Sequence, residues 1–192
     1  QQVAVQLTQS DWDGVALAGR FDADLATGRL AGTFQRVEVD LKELGTRFGV
    51  AGLAGRGAVT AAVSGTLEQP EVRVEATGSG LYSSPEFARP LEGEWSFSGA
   101  WKGGLLTLDR AVVAGPFGAL AASGTLPTDG PDSDDWSARF AGAALDVQGW
   151  DLDPEVVRAW SETGLGGRGY LNGTIATDRG RAIAQGRIEG YG

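Results

Sequence analysis

The feature that most limits what this chain can become is an alternation of apolar and polar residues with a period of two. In Glu71-Val72-Arg73-Val74-Glu75-Ala76-Thr77 the even positions are apolar and the odd ones polar or charged. An extended chain sends successive side chains to opposite faces, so Val72, Val74 and Ala76 share one face of a half-buried strand. The pattern returns from Glu94 to Ser98 and on to Trp101, in Trp136–Phe140, and more loosely from Ala58 to Leu67. Further strands are expected at Val3–Leu7, Gly14–Leu25, Arg29–Phe34, Gly104–Val113, Ala119–Leu126, Gly169–Ile175 and Arg181–Ile188. Turns rich in Gly, Pro and Asp separate them, which describes an antiparallel meander.

A chain of 192 residues makes one domain or part of a larger protein, and 31 of these residues are glycine, about twice the usual share. Cysteine, histidine and methionine are absent. That excludes a disulfide framework, a thiolate nucleophile, an imidazole acid or base, and His or Cys metal ligands. The net charge of −9 argues against a surface that tracks phosphates. With no Met at its start, the chain reads as a segment of a longer protein. It contains no apolar run long enough to span a bilayer as a helix, and its first twenty residues lack a signal-peptide layout.

Two segments break the period and read as short helices. Asp153-Pro154-Glu155 offers an N-cap, a proline at the first helical position and an acid near the positive end, before Val156, Val157 and Trp160 on one face and a stop at Gly164. The other begins at Asp40, paired with Glu43 in the manner of a capping box, and carries Leu41, Leu44 and Phe48 on one face up to Gly49. Both belong to a repeat. Val39-Asp40-Leu41, a helix, and Gly52-Leu53-Ala54-Gly55-Arg56-Gly57 recur as Trp150-Asp151-Leu152, a helix, and Gly164-Leu165-Gly166-Gly167-Arg168-Gly169. A Gly-Thr-apolar signature at Gly32, Gly65, Gly124 and Gly173 reads as punctuation at strand ends. Residues 1–192 are therefore expected to form a single segment, with repeat units of about 37–148 and 149–192, the second incomplete. Such accretion of β units builds an elongated sheet.

The motifs that carry chemistry elsewhere have plainer readings here. Gly164–Gly169 matches the GxGxxG spacing, but a helix precedes it and a strand follows, the reverse of a dinucleotide site, so no cofactor is expected. Asp129, Asp132, Asp134 and Asp135 lack the spacing of a calcium loop and read as a solvated hairpin; no metal is expected. Asp151, Asp153 and Glu155 are accounted for by helix capping rather than by a pair of catalytic carboxylates, so the chain does not read as an enzyme. Trp95, Phe97 and Trp101 are more informative, because they stripe one strand face and two short helices cannot cover a dozen strands. Some apolar face must be closed by curvature or by a ligand.

The phrase Ser64-Gly65-Thr66-Leu67-Glu68-Gln69-Pro70-Glu71-Val72, then Gly80-Leu81, Gly103-Gly104-Leu105-Leu106-Thr107-Leu108 and Ala122-Ser123-Gly124-Thr125-Leu126, resembles the repeat of the TamB family within the AsmA-like envelope proteins. Gly149-Trp150-Asp151-Leu152 is similar to the start of that family's next repeat. The resemblance implies an all-β fold: an elongated, curved antiparallel sheet folded over into a groove, a β-taco, with two short helices. It implies a place in the periplasm, a parent protein anchored in the inner membrane, and a role in carrying phospholipid or fatty acyl chains toward the outer membrane. The other role it implies is scaffolding of outer-membrane β-barrel assembly with a partner barrel of the TamA type. The groove lining expected on this reading is Val59, Val63, Val72, Val74, Trp95, Phe97, Trp101, Leu106 and Leu108. The parity of the last two depends on register in the Leu105-Leu106 run.

Overall fold

Alternation over most of the chain gives strands joined in chain order into one open antiparallel sheet. The structure, a computed structural model, describes residues 2–12, 15–47, 51–85, 87, 89–129, 141–156, 167–178 and 181–191. Among these the order of elements is β1 (Gln2–Trp12), β2 (Val15–Asp24), β3 (Arg29–Asp40), α1 (Leu41–Arg47), β4 (Leu53–Gly65), β5 (Pro70–Tyr82), β6 (Leu91–Lys102), β7 (Leu105–Gly115), β8 (Gly118–Pro127), β9 (Ala144–Leu152), a 3-10 turn (Pro154–Val156), β10 (Arg168–Asp178) and β11 (Arg181–Tyr191). Every strand pairs with the one before and the one after it, and the sheet does not close on itself. At about 4.8 Å between strands, eleven of them span roughly 50 Å. The fold is consistent with the elongated, curved, all-β architecture expected from the resemblance, built from the antiparallel strands that the alternation implies.

The helical pieces start where their caps place them. The Asp40 carboxylate accepts the Lys42 N–H at 2.8 Å and the Glu43 N–H at 3.4 Å, and Asp153 accepts the Glu155 N–H at 3.0 Å. These bonds satisfy donors that the first turn leaves unpaired. α1 ends at Arg47, and the expected Phe48 and Gly49 lie outside the described residues. The second helix is described only as the 3-10 turn at Pro154–Val156; its expected continuation through Val157 and Trp160 lies outside, as do the expected strand Trp136–Phe140 and the acids Asp132, Asp134 and Asp135.

Three expectations change. β9 is not among the expected strands, where Trp150-Asp151-Leu152 reads as the approach to a helix; Leu145 and Val147 alternate with the exposed Asp146 and Gln148, and β9 pairs with both β8 and β10. Several strands run further than expected, β3 reaching Asp40 and β4 starting at Leu53. The signature glycines do not all mark strand ends. Gly65 ends β4, but Gly32, Gly124 and Gly173 lie inside β3, β8 and β10, where each missing side chain keeps the apolar face shallow. A carbon added at Gly32 would meet the Phe21 ring at 3.0 Å, so the glycine makes room for an aromatic on the neighbouring strand.

There is no second layer in the described residues. The substantial contacts of each strand are with its neighbours in the sheet, and α1 packs chiefly on β4 and β3, with Leu41 reaching over Gly80 of β5. No large side chain is fully buried, and the buried apolar residues are few: Ala23, Val39, Leu41, Ala76, Leu108, Phe117, Ala119 and Ala143. A sealed core of the usual kind would bury most of its Leu, Val and Phe. No helix among the described residues is long and apolar enough to cross a membrane.

Candidate functional site: an uncovered apolar trough

The register assembles one face of the sheet from apolar residues alone. Val59 pairs with Ala76, Ala76 with Phe97, Phe97 with Ala111, Ala111 with Ala122, and Ala122 with Val147. One row along, Val63 pairs with Val72, Val72 with Trp101, Trp101 with Leu106, and Leu106 with Leu126. Between them run Ala61, Val74, Gly99, Leu108, Gly124 and Leu145. None of these residues is polar, because cross-strand partners share a face and each strand holds its apolar parity.

All nine residues expected to line the groove fall on this face. Leu106 and Leu108 lie inward, Leu108 only 6% exposed, while Leu105 is turned to the opposite side at 40%. Strict alternation would then have turned Val113 outward. A bulge at Asp109-Arg110 prevents this: Leu108 faces Gly124 and Ala111 faces Ala122, so one extra residue shifts β7 from even to odd parity. β3 does the same between Phe34 and Val37, which keeps Val39 on the trough side. The expected lining therefore lacks Val39, Ala111 and Val113, which lie beyond these bulges; it also lacks Leu41 on α1, Leu120 and Ala122 on β8, and Val147 on the unexpected β9. A period-two scan loses its phase at a bulge, and a break in phase is the signal that finds one.

A cavity of about 580 Å³ lies on this face, running across the strands from Val39 on β3 to Val147 on β9, with Leu41 at its rim. Of the expected lining, Val59, Trp95 and Phe97 border it. Val63, Val72, Val74, Trp101, Leu106 and Leu108 continue the same face beyond it. Large side chains sit over glycines of the sheet. The Trp95 ring lies over Gly57 and Gly78, Leu41 over Gly80, Phe117 over Gly115 and Leu152 over Gly149. The floor is thereby smooth instead of studded. The indole N–H of Trp95 is buried without a hydrogen-bond partner, a cost of about 1–3 kcal/mol, whereas Trp101 donates to the Thr128 hydroxyl at 2.8 Å.

Charge is kept to the other face and to the rim. Arg20 pairs with Asp22 at 2.9 Å and Glu71 with Arg73 at 3.2 Å, all on the polar side. That side holds a wider recess of about 960 Å³ bordered by Glu38, Asp40, Arg56, Thr77 and Glu94, whose mixed charges and hydroxyls suit water. At the rim near α1, Arg89 reaches Asp153 at 2.7 Å across 64 residues of chain, tying the β5–β6 loop to the turn after β9. Nearby, Asp151 adopts a positive φ of 52° and accepts the Tyr191 hydroxyl at 2.9 Å. That hydrogen bond, with partial desolvation and the carboxylate's charge behind it, holds the Tyr191 phenol in its neutral form, pushing its pKa up to about 12. Of the three acids around residue 153, Asp153 caps the turn and pairs with Arg89, while Asp151 binds the Tyr191 hydroxyl instead of capping. Among the described residues no group of acids is placed to hold a metal ion. Compared with protein-family models, with curated proteins and with solved structures, the chain matches none.

Proposed function

We propose that the trough is a path for lipid acyl chains, and that the chain is a segment of a hydrophobic groove that carries phospholipid through the periplasm between the inner and outer membranes. The observation that supports this reading is the run of cross-strand partners without a polar residue, on a face that, among the described residues, only α1 reaches over, through Leu41 at one end. Moving hydrocarbon out of a bilayer into water costs about 0.8 kcal/mol per CH₂, or ~12 kcal/mol for a sixteen-carbon tail. A trough of apolar side chains removes most of that cost. Its floor of small residues offers nothing that would hold a chain at one point, so the tail can slide while its head group stays in water at the open side.

The lining favours hydrocarbon: the cavity of about 580 Å³ is bordered by Val39, Leu41, Val59, Trp95 and Phe97, and among the described residues no charged side chain borders it. Purified protein is expected to carry phospholipid or fatty acid detectable by mass spectrometry of an organic extract, and Val74→Asp or Phe97→Arg to lose it while keeping the far-UV circular dichroism of the parent. Extracts free of lipid, or unaltered lipid in both variants, would sink the proposal. Crosslinks from the sheet to unfolded barrel strands, with none from the trough to lipid, would favour a role in barrel assembly instead.

A further inference from the structure

We propose that the Trp95 indole N–H is the group by which the trough recognises its lipid, donating a hydrogen bond to the carbonyl oxygen at the polar end of an acyl chain; this rests on the reading of the trough as an acyl path. Among the described residues, this nitrogen is the one buried side-chain nitrogen or oxygen without a hydrogen-bond partner. Tryptophan N–H groups usually find a partner when buried, and Trp101, further along β6 on the same face, finds the Thr128 hydroxyl at 2.8 Å. Trp95 has no such neighbour. The side chains near it on the trough face include Val39, Val59, Ala76, Phe97 and Val113, none of which carries an acceptor. Water does not reach the nitrogen either. If packing were all that the position required, phenylalanine would serve there, as Phe97 does two residues along the same strand, and would leave no donor stranded. A buried donor without a partner calls for a physical reason, and an acceptor that comes and goes supplies one.

That acceptor has to arrive with the ligand. The methylenes of an acyl chain accept nothing, whereas the carbonyl oxygen of its ester or carboxyl group is an acceptor with two lone pairs. Away from water such a bond is stronger than in solution. To form it the indole leaves its seat over Gly57 and Gly78, two cross-strand partners without side chains. The strip so bared takes methylenes in the ring's place, and the same movement that frees the donor makes room for the tail beside the carbonyl. In the empty trough the donor is stranded and in the loaded one it is paired, a difference that favours the loaded state. The rest of the floor treats every methylene alike; Trp95 is the place at which the polar end of a lipid is told from its tail.

The test titrates the whole chain, isotope-labelled for nuclear magnetic resonance, and its Trp95→Phe variant with hexadecane, methyl palmitate and palmitate. These share one chain length and carry, in turn, no acceptor, an ester carbonyl and a carboxylate. The parent is expected to bind all three, and the Trp95 indole proton, identified by its loss in the variant, to move downfield with the two carbonyl ligands but not with hexadecane. Trp95→Phe is expected to raise the dissociation constants for methyl palmitate and palmitate about three- to tenfold and to leave that for hexadecane within about twofold, which also shows the variant folded. A downfield shift with both carbonyl ligands supports recognition of phospholipid esters, and one with palmitate alone supports recognition of free fatty acid. Affinities for the carbonyl ligands that survive the substitution, or an equal loss for all three ligands, overturn the role of the N–H and leave the trough reading standing. Failure of the parent to bind any of the three overturns the trough reading and this one with it.

Discussion

Replacing Gly57 by alanine tests whether Trp95 is seated on the sheet as described. Gly57 has no positive φ, so alanine meets no backbone strain there, and in general such a change gains about 0.4–1 kcal/mol by restricting the unfolded chain. Here the new methyl would stand 2.5 Å from Cη2 of the Trp95 ring, closer still to Cζ2, and 3.0 Å from the Thr77 carbonyl oxygen. Carbon atoms settle at about 3.5–4.0 Å, so the ring must lift by an ångström or more. Overpacking of this kind costs about 1–3 kcal/mol, leaving a net loss of about 1.5 kcal/mol and a fall in Tm of about 3–6 °C for a chain of this size. In a Trp95→Ala background the obstacle is gone, and the same substitution becomes neutral or stabilising. The double-mutant cycle, read by urea denaturation, is therefore expected to give a coupling of about 2 kcal/mol. An equal effect of Gly57→Ala in both backgrounds refutes the seating of the indole on glycine.

Three further outcomes follow from the geometry. Val74→Asp and Phe97→Arg put a charge in the trough and are expected to abolish lipid carriage in a vesicle-to-vesicle transfer assay, since an unpaired charge repels hydrocarbon far more than a lost methyl weakens its hold. Tyr191 is raised to about 12 by its bond to Asp151. A raised pKa stabilises the neutral phenol, so its contribution is complete below the ordinary value near 10, is lost as pH climbs toward 12, and disappears in Tyr191→Phe; the difference at 295 nm between the parent and Tyr191→Phe should show this phenol ionising late, and a difference centred near 10 contradicts it. Arg89→Ala removes a pair whose arginine is mostly exposed, so its cost in stability is below about 1 kcal/mol, but amide exchange in the β5–β6 loop is expected to quicken; unchanged exchange there would mean the ion pair does not tether the loop.

What was legible in the sequence is what alternation encodes. Val72, Val74 and Ala76 announced their face because Glu71, Arg73 and Glu75 stand between them, and Asp40 and Asp153 announced the starts of the helical pieces because a carboxylate there meets free N–H groups. The meander followed from turns between short strands. Hidden were the places where one residue resets the phase. Nothing in Leu108-Asp109-Arg110-Ala111 says whether the chain loops or bulges; only the pairing of Leu108 with Gly124 and of Ala111 with Ala122 decides it. The glycines were the subtler case. Gly57 and Gly78 are not turn residues at all, and their use becomes apparent only when Trp95, on another strand, is seen lying over both. Cross-strand complementarity of that kind depends on register, which a single strand's pattern does not carry.

The meander also dictates how such a chain is made and unmade. Since each strand rests on its immediate predecessor, the order in which residues leave a ribosome or a translocation pore is the order in which the sheet grows, and every newcomer meets a finished template. Most links between partners are short, those after β3, β8 and β9 excepted, so little closure entropy stands in the way at most steps. Under tension applied at the two ends, the same layout yields by unzipping the outermost strand and then the next, so a pull shortens the sheet from its margins while the trough between β4 and β8 is the last part to go.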